Sequence, residues 1–351
     1  MSSLLGRDRR VGPAFAFVLV AAMVAACGPG TASSPGSSAA PSAVVPVGSG
    51  SAASGSPAKV GAVRVAFLTS GTIAAYYAAK SQGYFAAHGL DVSEQVVATA
   101  PLIQAALDRG DVDIIFGVAS AGLAARQGGR DMVTILQVEA ARMSAPDSYP
   151  LLVKPTSTIR SLADLKGKRV AVANTGAQIV ANLTVLLKRA GISEKDVVLV
   201  QAPFATHRDL LNSNQVDATL TLEPFRTAIV KEGIGKEVLY PYIDAAPGQP
   251  LGTWWAMRSW ADAHPAVVDA FVAAEREAMD WLVANPPQAR DVMSTITNIE
   301  PALLSDMLLP NWDYTVDEQA WEKAIQILVE AGTLDATMPV NEILYRTALA
   351  K

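Results

Sequence analysis

Two short loops carry small polar residues that could bind a ligand, and they recur at a fixed spacing. The first loop is Thr69-Ser70-Gly71-Thr72 and the second is Asn174-Thr175-Gly176-Ala177. Each follows an apolar, strand-like run and precedes a helix-like stretch, where hydroxyl and N–H groups meet the positive end of a helix dipole. Such residues either cap the helix or donate hydrogen bonds to a ligand. The candidate contacts from these loops are Ser70, Gly71, Thr72, Asn174, Thr175 and Gly176.

Two further positions follow strand-like runs in the same way. Ser120 closes the run DIIFGVAS, and Glu223 follows the run DATLTL at the corresponding place in the second half of the chain. Glu223 precedes Pro224 at a predicted helix start, where the helix dipole alone favours an acid. A carboxylate in a cleft would equally suit an amine or amidine group of a ligand. Both residues are candidate contacts.

Two aromatic pairs pose a choice between core packing and ligand stacking. Trp254 and Trp255 adjoin in a strand-like segment, so their side chains should point to opposite faces. One is expected in the core, and the other could stack on a ligand. Tyr76 and Tyr77, early in the first predicted helix, pose the same choice. We take Trp254 and Tyr76 as the candidate contacts.

Signatures of catalysis and metal binding are missing from the sequence. HExxH, CxxC, GxxxxGK[ST] and GxGxxG do not occur. In GVASAG the serine, Ser120, stands one residue away from its place in a GxSxG nucleophile elbow, which leaves a serine hydrolase as an alternative. His88, His207 and His264 fit structural roles near the ends of predicted helices. We expect a binding protein with no cofactor and no metal, not an enzyme.

Cys27 is the only cysteine of the 351 residues, and its surroundings indicate an attachment point. Three arginines and then sixteen uncharged residues precede it, as in a secretory signal, and the apolar stretch is shorter than a membrane span. Val24-Ala25-Ala26-Cys27 resembles a bacterial lipobox, whose cysteine is lipidated. The alternative is an ordinary signal peptide with a stray thiol. We predict a signal peptide over 1–26 and an extracytoplasmic, membrane-anchored lipoprotein.

The segment after the cysteine has the composition of a tether. Residues 27–60 are dominated by Gly, Ser, Ala and Pro, with one charge and no aromatic residue, and cannot bury enough apolar surface to fold. Removal of the signal peptide changes the formal charge from -5 to -7, because three arginines and one aspartate leave with it. This charge and the lack of a basic run argue against nucleic-acid binding.

An internal repeat predicts the architecture. RVAFLTSGT at Arg64 and RVAVANTGA at Arg169 are 105 residues apart, and the Val-Asp pairs at 112–113 and 216–217 are 104 apart. Each unit alternates strand-like runs with helix-like stretches, which predicts parallel strands covered by helices on both faces. We therefore predict two α/β lobes side by side. The last hundred residues are mainly helical and should pack on these lobes.

These motifs resemble a known family. YYAAKSQGYFAAHGLDV (76–92), ALDRGDVDIIFG (106–117), ADLKGKRVAV (163–172) and VDATLTLEPF (216–225) are similar to the solute-binding proteins of ABC importers. The most similar group is the nitrate/sulfonate/taurine type, which includes binders of thiamine-pyrimidine precursors. The resemblance implies a two-lobed periplasmic-binding fold of type II with mixed sheets and a helical C-terminal segment. Lobe one would be 62–150 plus 250–351, and lobe two 151–249, with YPLLVK and PGQPLGTWW crossing between them.

The resemblance also implies a function and partners. A monomer would capture a small polar organic solute, sulfonate, taurine-like or pyrimidine-like, between its lobes and deliver it to an ABC permease. The ligand would contact the loop after the first strand and the regions at Ser120, Asn174 to Gly176, and Glu223. An enzyme of the same fold acting on a small heterocycle, or a ligand sensor for a membrane receptor, are the alternatives.

Overall fold

Two five-stranded sheets form the framework of the protein. The structure is a computed structural model that describes residues 59–349. The predicted signal peptide, Cys27 and nearly all of the predicted tether lie outside the described residues. The ten strands are β1 (Gly61–Phe67), β2 (Leu90–Val96), β3 (Ile114–Val118), β4 (Met132–Ala140), β5 (Leu151–Val153), β6 (Arg169–Val172), β7 (Val198–Gln201), β8 (Ala218–Leu220), β9 (Lys236–Leu239) and β10 (Pro250–Met257).

Within residues 59–349, fifteen α-helices surround the sheets, together with short 3₁₀ turns at Leu162–Leu165 and Glu194–Asp196. They are α1 (Ala74–Ser81), α2 (Tyr84–Ala87), α3 (Ala100–Asp108), α4 (Ala119–Gln127), α5 (Gln178–Arg189), α6 (Phe204–Asn212), α7 (Phe225–Lys231), α8 (Pro241–Ala245), α9 (Arg258–Ala263), α10 (Pro265–Ala284), α11 (Pro286–Ile296), α12 (Pro301–Leu304), α13 (Glu318–Glu330), α14 (Val340–Ile343) and α15 (Arg346–Leu349).

The two sheets have the same topology. The first has the order β2-β1-β3-β10-β4, and the second has the order β7-β6-β8-β5-β9. We refer to the halves built on them as lobe one and lobe two. β1 lies between β2 and β3 and is parallel to both, as β6 is to β7 and β8. The predicted repeat of strand, helix, strand, helix, strand therefore corresponds to β1, β2 and β3 in lobe one and to β6, β7 and β8 in lobe two.

One strand in each sheet departs from the parallel arrangement that the repeat predicts. β10 is antiparallel to β3 and β4, and β5 is antiparallel to β8 and β9. Both follow a segment that crosses from the other lobe, so the chain enters each sheet in the opposite direction. The mixed sheets that the family resemblance implies are confirmed. Each sheet falls within the range predicted for its lobe, apart from Gly61 at the start of β1.

Apolar side chains on both faces of the sheets account for the core. One cluster of lobe one joins Phe67, Trp254 and Phe271, and a second, on the other face, joins Leu123, Trp255 and Trp321. In lobe two the main cluster forms between the sheet and α5. Strands buried on both faces have nearly continuous apolar sequences, which explains runs such as β4, where every residue is buried.

The C-terminal helices pack mainly on lobe one. α10 lies against α1, and the segment at α14 and α15 joins β4, where Tyr345 N–H donates to the Thr134 carbonyl at 2.9 Å. α13 also contacts α5 of lobe two, and Arg189 of α5 forms an ion pair with Glu330 at 2.9 Å. Helices after β10 thus complete lobe one and contact lobe two as well. No helix of the described residues is long and apolar enough to cross a membrane.

Candidate ligand-binding cleft

The predicted ligand loops lie at the carboxyl ends of parallel strands, where α/β sheets bind ligands. Ser70 and Gly71 follow β1 and are half-buried, whereas Thr72 is buried just before α1. Asn174, Thr175 and Gly176 follow the equivalent strand β6 and are exposed. Asn174 Oδ1 accepts a hydrogen bond from the Gly176 N–H at 2.9 Å, which fixes the turn that precedes α5. Whether these residues contact a ligand stays a prediction.

Ser120 lies where the two lobes meet. It is in the first turn of α4, is 7% exposed, and its backbone N–H donates to Oε1 of Gln178 at 3.2 Å. Gln178 opens α5 of lobe two, so this hydrogen bond joins the helix starts of both lobes. Gly122, two residues after Ser120, has a packing role, because a Cβ there would lie 2.1 Å from the Trp255 ring. That contact explains the second glycine of GVASAG without a nucleophile elbow.

Two of the aromatic predictions need correction. Tyr76 and Trp254 are fully buried in the core of lobe one, with ring centroids 6.1 Å apart, and neither faces the cleft. The Tyr76 hydroxyl donates to Glu94 at 2.9 Å. Trp254 and Trp255 do point to opposite faces of the sheet, but each face is covered, so both rings are core residues. A strand shielded by helices on both sides leaves no face for ligand stacking.

Glu223 is also engaged otherwise than predicted. Its carboxylate accepts hydrogen bonds from the Thr227 N–H at 3.1 Å and hydroxyl at 2.8 Å, and from Arg226 at 3.2 Å. It accepts another from the Leu308 N–H at 3.0 Å, in the C-terminal segment that follows α12. Glu223 therefore stabilises the start of α7 and links lobe two to that segment. Its oxygens are occupied by protein donors, which leaves little capacity for a ligand amine.

The carboxylate that the sequence reasoning missed is Glu139, near the end of β4. It is 4% exposed and accepts hydrogen bonds from the Thr72 hydroxyl at 2.7 Å and the Tyr149 hydroxyl at 3.2 Å. Gly252 stands beside it on β10; a Cβ there would lie 3.1 Å from Thr72 and 2.8 Å from Phe116. An acid within the otherwise largely apolar run MVTILQVEA was the signal available in the sequence.

Burial sets the protonation behaviour of this site. It raises the pKa of Glu139 to about 7, opposed by the hydrogen bond from Thr72. Burial likewise raises the pKa of Asp147, in the segment that crosses to lobe two, to about 6. The Tyr149 and Tyr242 rings, 5.2 Å apart, form the aromatic wall next to these acids. The pKa of Tyr242 is raised by its burial, by Glu139 and by Asp147.

A buried amide network lies at the junction of the lobes and was not predicted. Gln178 donates to the Pro250 carbonyl at 3.0 Å, and Gln249 donates to Asn182 Oδ1 at 2.8 Å. All three amide side chains are at most 4% exposed. Buried amides with complete hydrogen bonding fix one geometry, so this network holds the start of α5 against the crossing segment before β10. In the sequence, the only signal for this network was that Gln178 and Gln249 each follow a loop.

The described residues contain no group of three or more His, Cys, Asp or Glu arranged to hold a metal ion. The three histidines are bound locally: His88 pairs with Glu277 at 2.8 Å, His207 contacts the Thr219 hydroxyl at 2.6 Å, and His264 contacts the Trp260 carbonyl at 2.9 Å. What the cleft offers is therefore hydrogen bonding and charge, set in buried aromatic surroundings.

The sequence pattern of the NMT1/THI5-like family matches residues 70–289. The chain belongs to the NMT1/THI5-like family. That range begins at the Ser70 loop of lobe one, contains all of lobe two and continues through α10, so it includes every cleft residue described above except the C-terminal segment. The match is consistent with the family resemblance seen in the sequence motifs.

Individual relatives agree with this assignment. A protein of Brucella abortus, provisionally named a binding protein, is 26% identical over 229 residues, which are 64% of this chain and 68% of the relative. The riboflavin-binding protein RibY of Chloroflexus aurantiacus is 24% identical over 298 residues, 77% of this chain and 80% of the relative. The relatives therefore span both lobes at low identity.

Solved structures establish the fold. The alkanesulfonate-binding protein SsuA of Xanthomonas axonopodis pv. citri superposes with a TM-score of 0.64 at 18% identity, covering 82% of this chain and 99% of that one. The periplasmic nitrate-binding protein NrtA of Synechocystis gives a TM-score of 0.60 at 16% identity, with 82% and 86% covered. The chain has the periplasmic-binding-protein fold, as the sequence predicted.

Proposed function

We propose that this protein is an extracytoplasmic solute-binding lipoprotein that captures a small polar organic solute between its lobes and delivers it to an ABC permease. The observation that carries the proposal is the meeting of the two lobes at the carboxyl edges of their sheets. Buried polar groups from both lobes are brought together there, as in the hydrogen bond between Ser120 and Gln178. Family membership and fold support the same function.

Closure of the lobes would couple binding to a shape that a permease can recognise. Cross-lobe contacts are numerous on the side of α7, where Lys231 forms an ion pair with Asp306 at 2.5 Å and Glu223 accepts the Leu308 N–H. A solute that contacts both lobes would favour the arrangement in which these contacts form, because it binds that arrangement best. Solute capture, lobe closure and delivery need no catalytic group.

The location rests on the sequence before the folded part. A lipid-modified Cys27 would attach the protein to the membrane, and residues 28–60 would give the lobes freedom to meet the permease. Several acyl chains on one cysteine bind a membrane far more firmly than one chain.

A thermal-shift screen tests the function. The purified protein would be heated with sulfonates, nitrate, taurine, aminopyrimidines and related solutes at rising concentration, followed by calorimetry of any hit. A solute that binds the folded protein raises the transition temperature with its concentration. A solute that was converted to product, with no stabilisation by any solute, would contradict a transport function and favour an enzyme of the same fold.

A further inference from the structure

Two buried carboxylates lie close together on the crossing side of the cleft. Glu139 is the penultimate residue of β4, and Asp147 lies in the segment that leads to β5; they are 4% and 2% exposed. The Asp147 carboxylate raises the pKa of Glu139, and both raise the pKa of Tyr242. Tyr149 links the two acids, because it stands two residues after Asp147, its hydroxyl donates to Glu139 at 3.2 Å and its ring packs on Tyr242.

Their hydrogen bonding is incomplete. Among residues 59–349, Glu139 has only the hydroxyls of Thr72 and Tyr149 as donors. Asp147 Oδ1 accepts the Ser148 N–H at 2.7 Å, while its Oδ2 is buried with no partner in the described part of the chain. A carboxylate can accept about four hydrogen bonds, so both acids retain unused acceptor capacity. A buried acceptor without a donor costs about 1–3 kcal/mol, more when it is charged.

The described part of the chain supplies these acids with no cation at hydrogen-bonding distance. Within residues 59–349 neither Glu139 nor Asp147 forms an ion pair with Lys, Arg or His. Arg142 favours the ionised form of both acids without a hydrogen bond to either; its Nη2 donates to the Leu309 carbonyl at 2.9 Å, and its Nε is buried without a partner in the described residues. Buried acids are normally paired or bound to a metal, so the missing donor must come from elsewhere.

A second unpartnered polar group lies in lobe two, next to the segment that joins β4 to β5. Thr221, just after β8, is 1% exposed, and its hydroxyl has no partner in the described residues. Its backbone N–H donates to the Pro150 carbonyl at 3.1 Å, directly after Tyr149. Unpartnered buried groups on both sides of one cleft indicate a polar molecule that bonds to both.

We propose that the captured solute carries a planar, positively charged N–H donor group, of amidine or guanidine type, that binds to Glu139 and Asp147. This inference rests on the proposed function and specifies its solute. A planar donor group can give two hydrogen bonds to carboxylates, and the Tyr149 and Tyr242 rings suit a flat cation. A sulfonate or nitrate would instead face two acids whose charge only Arg142 offsets in the described part of the chain, and like charges repel.

The charge of the solute can be tested before its identity is known. A yeast-extract ultrafiltrate of small molecules would be separated on strong cation-exchange and strong anion-exchange resins into cationic, anionic and unretained fractions. Each fraction would be added to the full-length protein in a thermal-shift assay. We expect stabilisation by the cationic fraction alone. Stabilisation by the anionic or the unretained fraction would overturn this inference and leave the proposed function intact, whereas no stabilisation by any fraction would contradict both.

Variants test the residues. Glu139→Gln keeps the shape but removes the charge, and it should weaken binding of the active fraction about tenfold or more, as expected for the loss of a charge-assisted hydrogen bond. Glu275→Gln is the matched control, because Glu275 is also fully buried with a raised pKa but lies in the core on α10. Undiminished binding by Glu139→Gln would overturn the proposal. If that variant failed to fold, by circular dichroism, Asp147→Asn would be measured by the same criterion.

Discussion

The Thr72 hydroxyl donates a hydrogen bond of 2.7 Å to Glu139, joining the loop after β1 to the end of β4 across one edge of the sheet. The Trp312 indole N–H donates to the Thr72 carbonyl at 3.1 Å, which ties the C-terminal segment to the same loop. Three distant stretches of chain therefore hold one carboxylate in place. The half of the cleft in lobe one is therefore preorganised, which lowers the cost of ordering these residues when a ligand binds.

The hydrogen bond between Thr72 and Glu139 predicts that Thr72→Val lowers the free energy of unfolding by an amount that depends on pH. Without the hydroxyl, ionised Glu139 loses one of its two neutral donors, so the free energy of unfolding should fall by about 1–3 kcal/mol at pH 8 and less at pH 5. Urea denaturation at both pH values measures the difference. Thr134→Val is the control, because the Thr134 hydroxyl is fully buried with no partner among residues 59–349 and its loss should be neutral or stabilising. Equal losses in both variants would rule out a specific role for the bond.

A second prediction concerns Glu275, whose oxygens lie buried on α10 without a hydrogen-bond partner in the described residues. Burial raises its pKa to about 8, although the nearby Trp254 indole favours ionisation. The folded state thus holds a proton that the unfolded chain releases near pH 4.5. The associated stability is fully present below that pH and is lost as the pH rises through about 8.

Glu275→Gln should therefore stabilise the protein at high pH only. Each unit of pKa difference corresponds to about 1.4 kcal/mol, so the gain at pH 9 should be on the order of a few kcal/mol. At pH 5 the variant and the parent should unfold at nearly the same urea concentration. A constant difference between them at every pH would mean that Glu275 is not protonated in the folded state.

Much of the fold could be predicted from the sequence, because the repeat follows repeated contacts. Arg64 N–H and guanidinium donate to Asp113, and Arg169 makes the same bonds to Asp217, at 2.9 Å and 2.8 Å for the backbone N–H. These pairs link the starts of equivalent neighbouring strands. The recurring Arg and Val-Asp positions in the sequence are thus traces of one structural unit used twice.

The site could be predicted only in part. Positions after strands are determined by local order, so the Thr72 loop and Ser120 could be found. The predictions of ligand contact by Tyr76 and Trp254 were wrong. The sequence does not tell which aromatic residue of an adjacent pair is buried, because that depends on the packing of α10 on α1. Glu139 could not be predicted, because sheet pairing and the crossing segment bring its partners Thr72 and Tyr149 to it. No local sequence pattern encodes these long-range contacts.

The predicted anchor can be tested apart from the cleft. Cys27→Ser removes the thiol that a lipid would modify, so the protein should leave the membrane fraction or accumulate as an unprocessed precursor in the bacterial host. Immunoblots of membrane and soluble fractions measure this. The purified domain should keep its solute affinity, since Cys27 lies outside the described residues and far in sequence from the cleft. Unchanged membrane retention would contradict lipid attachment at this residue.

The last prediction uses two glycines on neighbouring strands. A Cβ at Gly252 would lie 2.8 Å from Phe116, 3.1 Å from Thr72 and 3.4 Å from the Glu139 Cβ, whereas a Cβ at Gly117 would have no neighbour within 4 Å. Gly252→Ala must displace the residues that hold the carboxylate, so it should cost about 1–3 kcal/mol of stability.

The same displacement should weaken solute binding, because the Thr72–Glu139 bond depends on the close approach that Gly252 permits. Gly117→Ala adds the same methyl group to the adjacent strand without a clash, and it should change stability by less than about 0.5 kcal/mol and leave affinity unchanged. Calorimetric titration of both variants with the active solute fraction makes the comparison. Equal affinities would show that the solute binds away from the edge formed by β4 and β10, and the cleft would then have to be sought around Asn174.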